Sequence, residues 1–110
     1  MISYRIIAPL LIPKLKRSLE CKELKLFGFM WERNTGEQKI EIVDENGTHV
    51  IKGAISINEI LNEGMGKKLV NLLDKEYKGW NTLIGVIDTQ NKKITLIFKE
   101  NEHTIGTRIY

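Results

Sequence analysis

The sequence predicts an α+β fold, an antiparallel sheet of about five strands packed against one long and one short helix. Three observations carry that prediction. Residues 55–80 hold a helix code with a cap, an apolar stripe and a stop. Residues 24–54 read as strands joined by short turns, and residues 83–98 read as a further apolar hairpin. The 110 residues fit one domain, 1–110, and 42% hydrophobic content supports a core without staples.

Ile2, Tyr4 and Ile6 alternate with Ser3 and Arg5, so the opening reads as a short strand. Pro9 and Pro13 interrupt regular pairing, and Pro13 suits the first turn of a helix. Leu15 and Leu19 then share a face among Lys14, Lys16, Arg17, Glu20 and Lys22, predicting a short amphipathic helix over 13–23. Residues 24–33, apolar and aromatic on both faces, read as a central strand. Asn34-Thr35-Gly36 turns the chain. Over 38–43, Ile40 and Ile42 alternate with Lys39 and Glu41, so one face is buried and one is wet. Asp44-Glu45-Asn46-Gly47 signals a hairpin, because Asn and Gly tolerate positive φ, and 48–54 returns as its partner.

Ser56 and Glu59 form a capping box, with Ile55 and Ile60 at staple spacing. Ile57, Ile60, Leu61, Met65, Leu69, Leu72, Leu73 and Tyr77 follow at steps of three and four, predicting a helix over 57–78. Gly79 is placed to close it. Gly64 and Gly66 each cost about 1 kcal/mol against Ala inside a helix. They mark close packing, on a sheet or a partner, or a break into two shorter helices near Asn62. Next, Leu83, Ile84, Val86 and Ile87 form a strand, and Ile94, Leu96 and Phe98 its hairpin partner. Residues 104–110 add an edge strand or hang as a tail.

The formal charge is +3. Residues 5–25 carry six bases and two acids, +4, and the rest carries eleven bases and twelve acids, −1. The excess is a patch for an acidic partner or nucleic acid, or a solvated helix face. One cysteine excludes an internal disulfide, and with no recognisable signal segment the expected setting is cytoplasmic. The longest uncharged run of the apolar opening, residues 6–13, is far short of the ~20 residues a membrane span needs.

Chemistry-bearing residues are sparse. Cys21, His49 and His103 match no metal spacing, and a nucleophilic Cys21 lacks a sequence-near base. The two histidines would serve acid–base chemistry only if the fold brought them together. Gly64-Met65-Gly66-Lys67-Lys68 lacks P-loop spacing and falls inside a helix. Glu100 and Glu102 read as solvated. Phe27, Phe29 and Trp31 share one strand face, as a base-stacking platform or as core. The expectation is no enzyme, no cofactor, no metal and no membrane partner.

From a strand meander, a helix at 57–78 runs into Gly79-Trp80 and then an apolar hairpin of 83–87 and 94–98. That layout, over roughly 24–100, resembles small bacterial toxin-immunity proteins, including those that neutralise contact-dependent growth-inhibition toxins. The resemblance implies a cytoplasmic protein that occludes the active site of a cognate toxin. The partner would be a C-terminal toxin domain of a larger secreted protein. Immunity proteins against nucleic-acid-cleaving toxins are often acidic, whereas this chain is slightly basic, which implies an acidic toxin face or a local contact patch. Partner patches favour aromatic and arginine anchors. The expected partner-binding residues are Trp31, Glu32 and Arg33 beside the 34–36 turn, with Lys16 and Arg17 from the basic segment. Trp80 and Tyr110 are further anchor candidates, Trp80 reading better as a plug at the helix end. The alternative is a nucleic-acid-binding module using the basic segment, a partner that the modest charge disfavours.

Overall fold

Helix α1 (Tyr4–Ser18) opens the chain where a strand was expected. The computed structural model describes residues 2–19, 23–53 and 55–110. Cys21 and Lys22, and Ala54 at the expected end of the third strand, lie outside the described residues. The period-two reading of Ile2, Tyr4 and Ile6 fails because a longer pattern competes with it. Ile7, Ala8, Leu11 and Leu15 recur on one helical stripe and are all buried. Burying four such side chains contributes roughly 1.5–3 kcal/mol for each large one. Two interior prolines cost about 3 kcal/mol apiece, a cost that burial of this stripe is large enough to offset. Pro9 and Pro13 also sit on the exposed side of the helix, away from the buried stripe. The helix ends at Ser18, short of the expected Glu23, and carries Lys16 and Arg17 in its last turn.

Strands β1 (Leu24–Glu32), β2 (Gln38–Asp44) and β3 (Gly47–Ile51) form the expected meander. After the helices come β4 (Thr82–Asp88), β5 (Lys93–Glu100) and β6 (His103–Ile109). The sheet has six strands in the order β3-β2-β1-β4-β5-β6, each antiparallel to its neighbours. The sixth is the C-terminal segment, which pairs as an edge strand. The class is α+β.

The helix expected over 57–78 is two, by the break near Asn62 that its glycines had offered as an alternative. Helix α2 (Ile57–Asn62) and helix α3 (Gly64–Glu76) meet at Glu63, whose backbone is extended at φ −131° and ψ 148°. Both glycines are needed at this corner. Gly64 takes φ +51°, and a Cβ on Gly66 would lie 1.8 Å from the Ile60 carbonyl oxygen. The break keeps Ile57, Ile60 and Leu61 of α2 and Leu69, Val70 and Leu73 of α3 on the core, while Met65 turns out to solvent. Ser56 caps α2 as predicted, its Oγ accepting from the Glu59 N–H at 3.2 Å. Gln38 pins the same end to β2: its side-chain amide donates to the Ile55 carbonyl and accepts from the Ile57 N–H.

One face of the sheet is covered. Phe27, Phe29 and Trp31 of β1 lie between Ile40 and Ile42 of β2 and Leu83 and Ile87 of β4, with Ile94, Leu96 and Phe98 beyond, all buried in one core. Glycine makes room there for large rings. A Cβ on Gly85 would meet the Phe29 ring at 2.3 Å. Among the described residues no helix is long and apolar enough to cross a membrane.

Candidate functional site

The expected anchor triplet at the end of β1 is engaged within the fold. Trp31 is only 1% exposed, and its Nε1 donates to Asn58 Oδ1 of α2 at 3.0 Å. It therefore presents no face to a partner. The Glu32 carboxylate accepts from the backbone N–H groups of Asn34 and Thr35 at 2.8 and 3.0 Å, clasping the β1–β2 turn. Those bonds, that to the Asn34 N–H first, hold its pKa below the usual carboxylate range. Arg33 makes a two-pronged bond to Asp74 of α3 at 2.6 and 3.1 Å and stacks 4.1 Å above the Trp80 ring. Trp80 is the plug that was expected, 3% exposed and edge-on to both Trp31 and Phe98. Together these residues tie β1, α2, α3 and β4. Tyr110 is half-buried, and burial pushes its phenol pKa up, with the Glu76 charge adding to the effect.

The histidines do not converge. His49 is on β3 and His103 on β6, at opposite edges of the sheet. Five strand spacings of about 4.8 Å separate those edges. His49 Nε2 donates to buried Asp44 at 3.0 Å, and Asp44 also accepts from the Asn46 N–H, so this pair locks the β2–β3 hairpin. Among the described residues no three His, Cys, Asp or Glu side chains cluster as a metal site. Phe27, Phe29 and Trp31, read alternatively as a stacking platform, are core.

Two open surfaces remain. The first is a cleft of about 1040 Å³ between α1 and the α2–α3 corner. Lys14 and Arg17 of α1 line it on one side, and Glu59 and Glu63 on the other, with Met65 and Leu10 between. All four charged residues are exposed, and none is ion-paired among the described residues. Met65, 58% exposed, is an adaptable apolar contact. Lys16 is exposed on the same turn as Arg17 but does not line the cleft. The sequence offered a break near Asn62 but not the direction of the turn there, so the acidic wall was not foreseen. The corner at Glu63 is what brings Met65 and Glu63 to face α1.

The second surface is the uncovered face of the sheet. Leu26, Gly28 and Met30 of β1 and Ile84 and Val86 of β4 point to it, alongside Lys39, Glu41 and Val43 of β2. A shallow groove of about 580 Å³ runs over Gly28. The apolar alternation of β1 on both faces was legible. It reads as a strand covered twice, and the chain covers it once.

Comparison with protein-family models, curated proteins and solved structures finds no match. The functional reading therefore rests on the two surfaces.

Proposed function

We propose that this chain is a partner-binding protein of the immunity or antitoxin type, seating a protein toxin in the cleft between α1 and the α2–α3 corner. The observation that carries the reading is the cleft's opposed charge, unpaired among the described residues: Lys14 and Arg17 face Glu59 and Glu63. A protein surface presents both signs and can answer both walls, and mixed-charge complementarity steers such encounters. Nucleic acid cannot, since its phosphates would be drawn to Lys14 and Arg17 but repelled by Glu59 and Glu63. That disfavours the alternative reading, a nucleic-acid module using the basic segment. Occlusion needs a firm surface, and the capped α2 and the glycine-tightened corner supply one. Arg17 stays as a partner contact in this reading and Lys16 lies at the cleft's margin, whereas Trp31, Glu32 and Arg33 hold the scaffold.

The test is co-expression with the toxin encoded beside this chain. The native chain should rescue growth and co-purify with the toxin. Arg17→Glu and Glu59→Lys, made separately, should each weaken the complex by at least tenfold while the melting temperature holds within a few degrees. No rescue and no complex would refute the toxin reading. A salt-sensitive shift of RNA or DNA that Arg17→Glu abolishes and Glu59→Lys strengthens would establish the nucleic-acid alternative instead.

A further inference from the structure

We propose that the open face of the sheet is the interface of a two-fold dimer of this chain, two copies packing sheet on sheet. The proposal goes beyond the toxin-binding reading and rests on a different surface.

Antiparallel sheets covered on one side usually carry polar residues on the other. Here the open face carries Leu26, Met30, Val43, Ile84, Val86 and Ile97 across its four inner strands. Val50 and Ile109, on the two edge strands, are 70% and 69% exposed. Six strands at ~4.8 Å make this face about 24 Å wide and about 20 Å long. That footprint, about 480 Å² per copy, is below the ~800 Å² of a standard interface and fits a weak dimer.

The register says which partner fits. Two adjacent rows cross the face. One runs Lys39, Met30, Ile84, Ile97, Thr107. The next runs Val50, Glu41, Gly28, Val86, Thr95, Ile109. A two-fold axis lying between the sheets, perpendicular to the strands and midway between these rows, lays each row on the other row of the second copy. Met30 then stands over Gly28, Lys39 over Glu41, and Ile84 over Val86. A knob meets a dent, a cation meets an anion, and apolar meets apolar. By symmetry every such contact occurs twice. Packed sheets are rotated by about 30°, so the match holds at β2, β1 and β4 and loosens toward the edges.

Gly28 is the independent observation. A glycine inside a strand weakens it and often marks close approach of another chain. Among the described residues nothing requires it. Its φ is not positive, and a Cβ there would meet only the Glu41 and Gly85 carbonyl oxygens, at 3.8 and 3.9 Å. Its effect is to leave the dent on the open face. The face carries one cation and one anion in these rows, which suits a copy of itself better than a strongly charged partner.

Sedimentation equilibrium on the full chain, from about 1 µM to about 1 mM, tests this. A monomer–dimer equilibrium is expected. Val86→Lys and Gly28→Val should each raise the dissociation constant at least tenfold, with circular dichroism and melting temperature close to native. Lys39→Glu alone should weaken the dimer, and Lys39→Glu with Glu41→Lys should restore it. That restoration is specific to the stacking described. A chain that stays monomeric throughout, or a dimer indifferent to Val86→Lys, would overturn the interface. A dimer that the double charge exchange fails to restore would overturn the two-fold stacking.

Discussion

On one face of β1, Phe27, Phe29 and Trp31 disappear beneath three helices; on the other, Leu26, Gly28 and Met30 are left partly in solvent. The strand is the same and the hydrophobicity is similar, so local sequence does not decide which side becomes core. The helices decide it, because the stripes of α1, α2 and α3 need a surface large enough to receive them. Rings were placed where helices descend, and slimmer side chains with a glycine gap where none does. The covered face holds the molecule together, and the open face is left partly in solvent.

Substitutions at matched positions separate the two faces most sharply. Phe27 is fully buried, and Phe27→Ala should cost about 3–5 kcal/mol in urea unfolding. Val86→Ala, at a position 40% exposed, should stay within about 0.5 kcal/mol in dilute solution. Near-equal costs would mean that both faces are buried in the monomer.

The two central glycines give the next test. Gly85→Ala drives a methyl group into the Phe29 ring, at 2.3 Å from Cε1, and should destabilise by about 1–3 kcal/mol. Gly28→Ala meets ordinary contacts and removes the flexibility of glycine, so it should be neutral or stabilise by up to about 1 kcal/mol. These are neighbouring strands in one sheet, and the opposite signs follow only if the helices cover a single face.

At the margin between core and surface, Asp74→Ala should cost about 1 kcal/mol, less in high salt. The Arg33–Asp74 pair has good two-pronged geometry, but its side chains are 25% and 42% exposed. Arg33 keeps its place over Trp80, which limits the loss. A cost above about 3 kcal/mol would mark Asp74 as a buried partner.

Much of this fold was legible where one period dominated. Residues 38–43 alternate and Ser56 caps as read, and the 44–47 hairpin forms, with Glu45-Asn46 in the turn and the positive φ taken by Gly47 alone of the Asn46-Gly47 pair. Reading failed where two periods overlapped. Ile2, Tyr4 and Ile6 fit a strand and Ile7, Leu11 and Leu15 fit a helix, and only the presence of a receiving surface picks between them. Gly64 and Gly66 offered either close packing or a break near Asn62, and only the 1.8 Å approach to the Ile60 carbonyl oxygen shows that both hold at one corner. The cleft was illegible for the same reason, since its acidic wall exists only after the corner forms. Trp31 and Arg33 are residue types that binding sites favour, and cores and internal clasps favour them too. Type and position alone could not distinguish these roles.

The smallest predicted effect comes from the turns at the two ends of the sheet, where neither face is at stake. Glu32 clasps the β1–β2 turn, and Asp88 clasps the β4–β5 turn, accepting from the Gln90 and Asn91 N–H groups at 3.0 Å each. Both carboxyls are held below their ordinary values of 4.5 and 3.8, chiefly by the Asn34 N–H for Glu32 and the Asn91 N–H for Asp88. A carboxyl depressed in the folded state binds protons more readily when unfolded. Its contribution is therefore complete above the ordinary value and is lost as pH falls through the depressed one. Stability should be flat with respect to these two groups at neutral pH and should decline below about pH 4.5. In Glu32→Gln with Asp88→Asn, the amides accept weaker bonds and cannot be protonated in this range. The double variant should start slightly less stable at pH 7 and fall less steeply into acid. Melting temperatures between pH 7 and pH 3 check this, and parallel curves for the two proteins would show that the turns do not bind these carboxylates in solution.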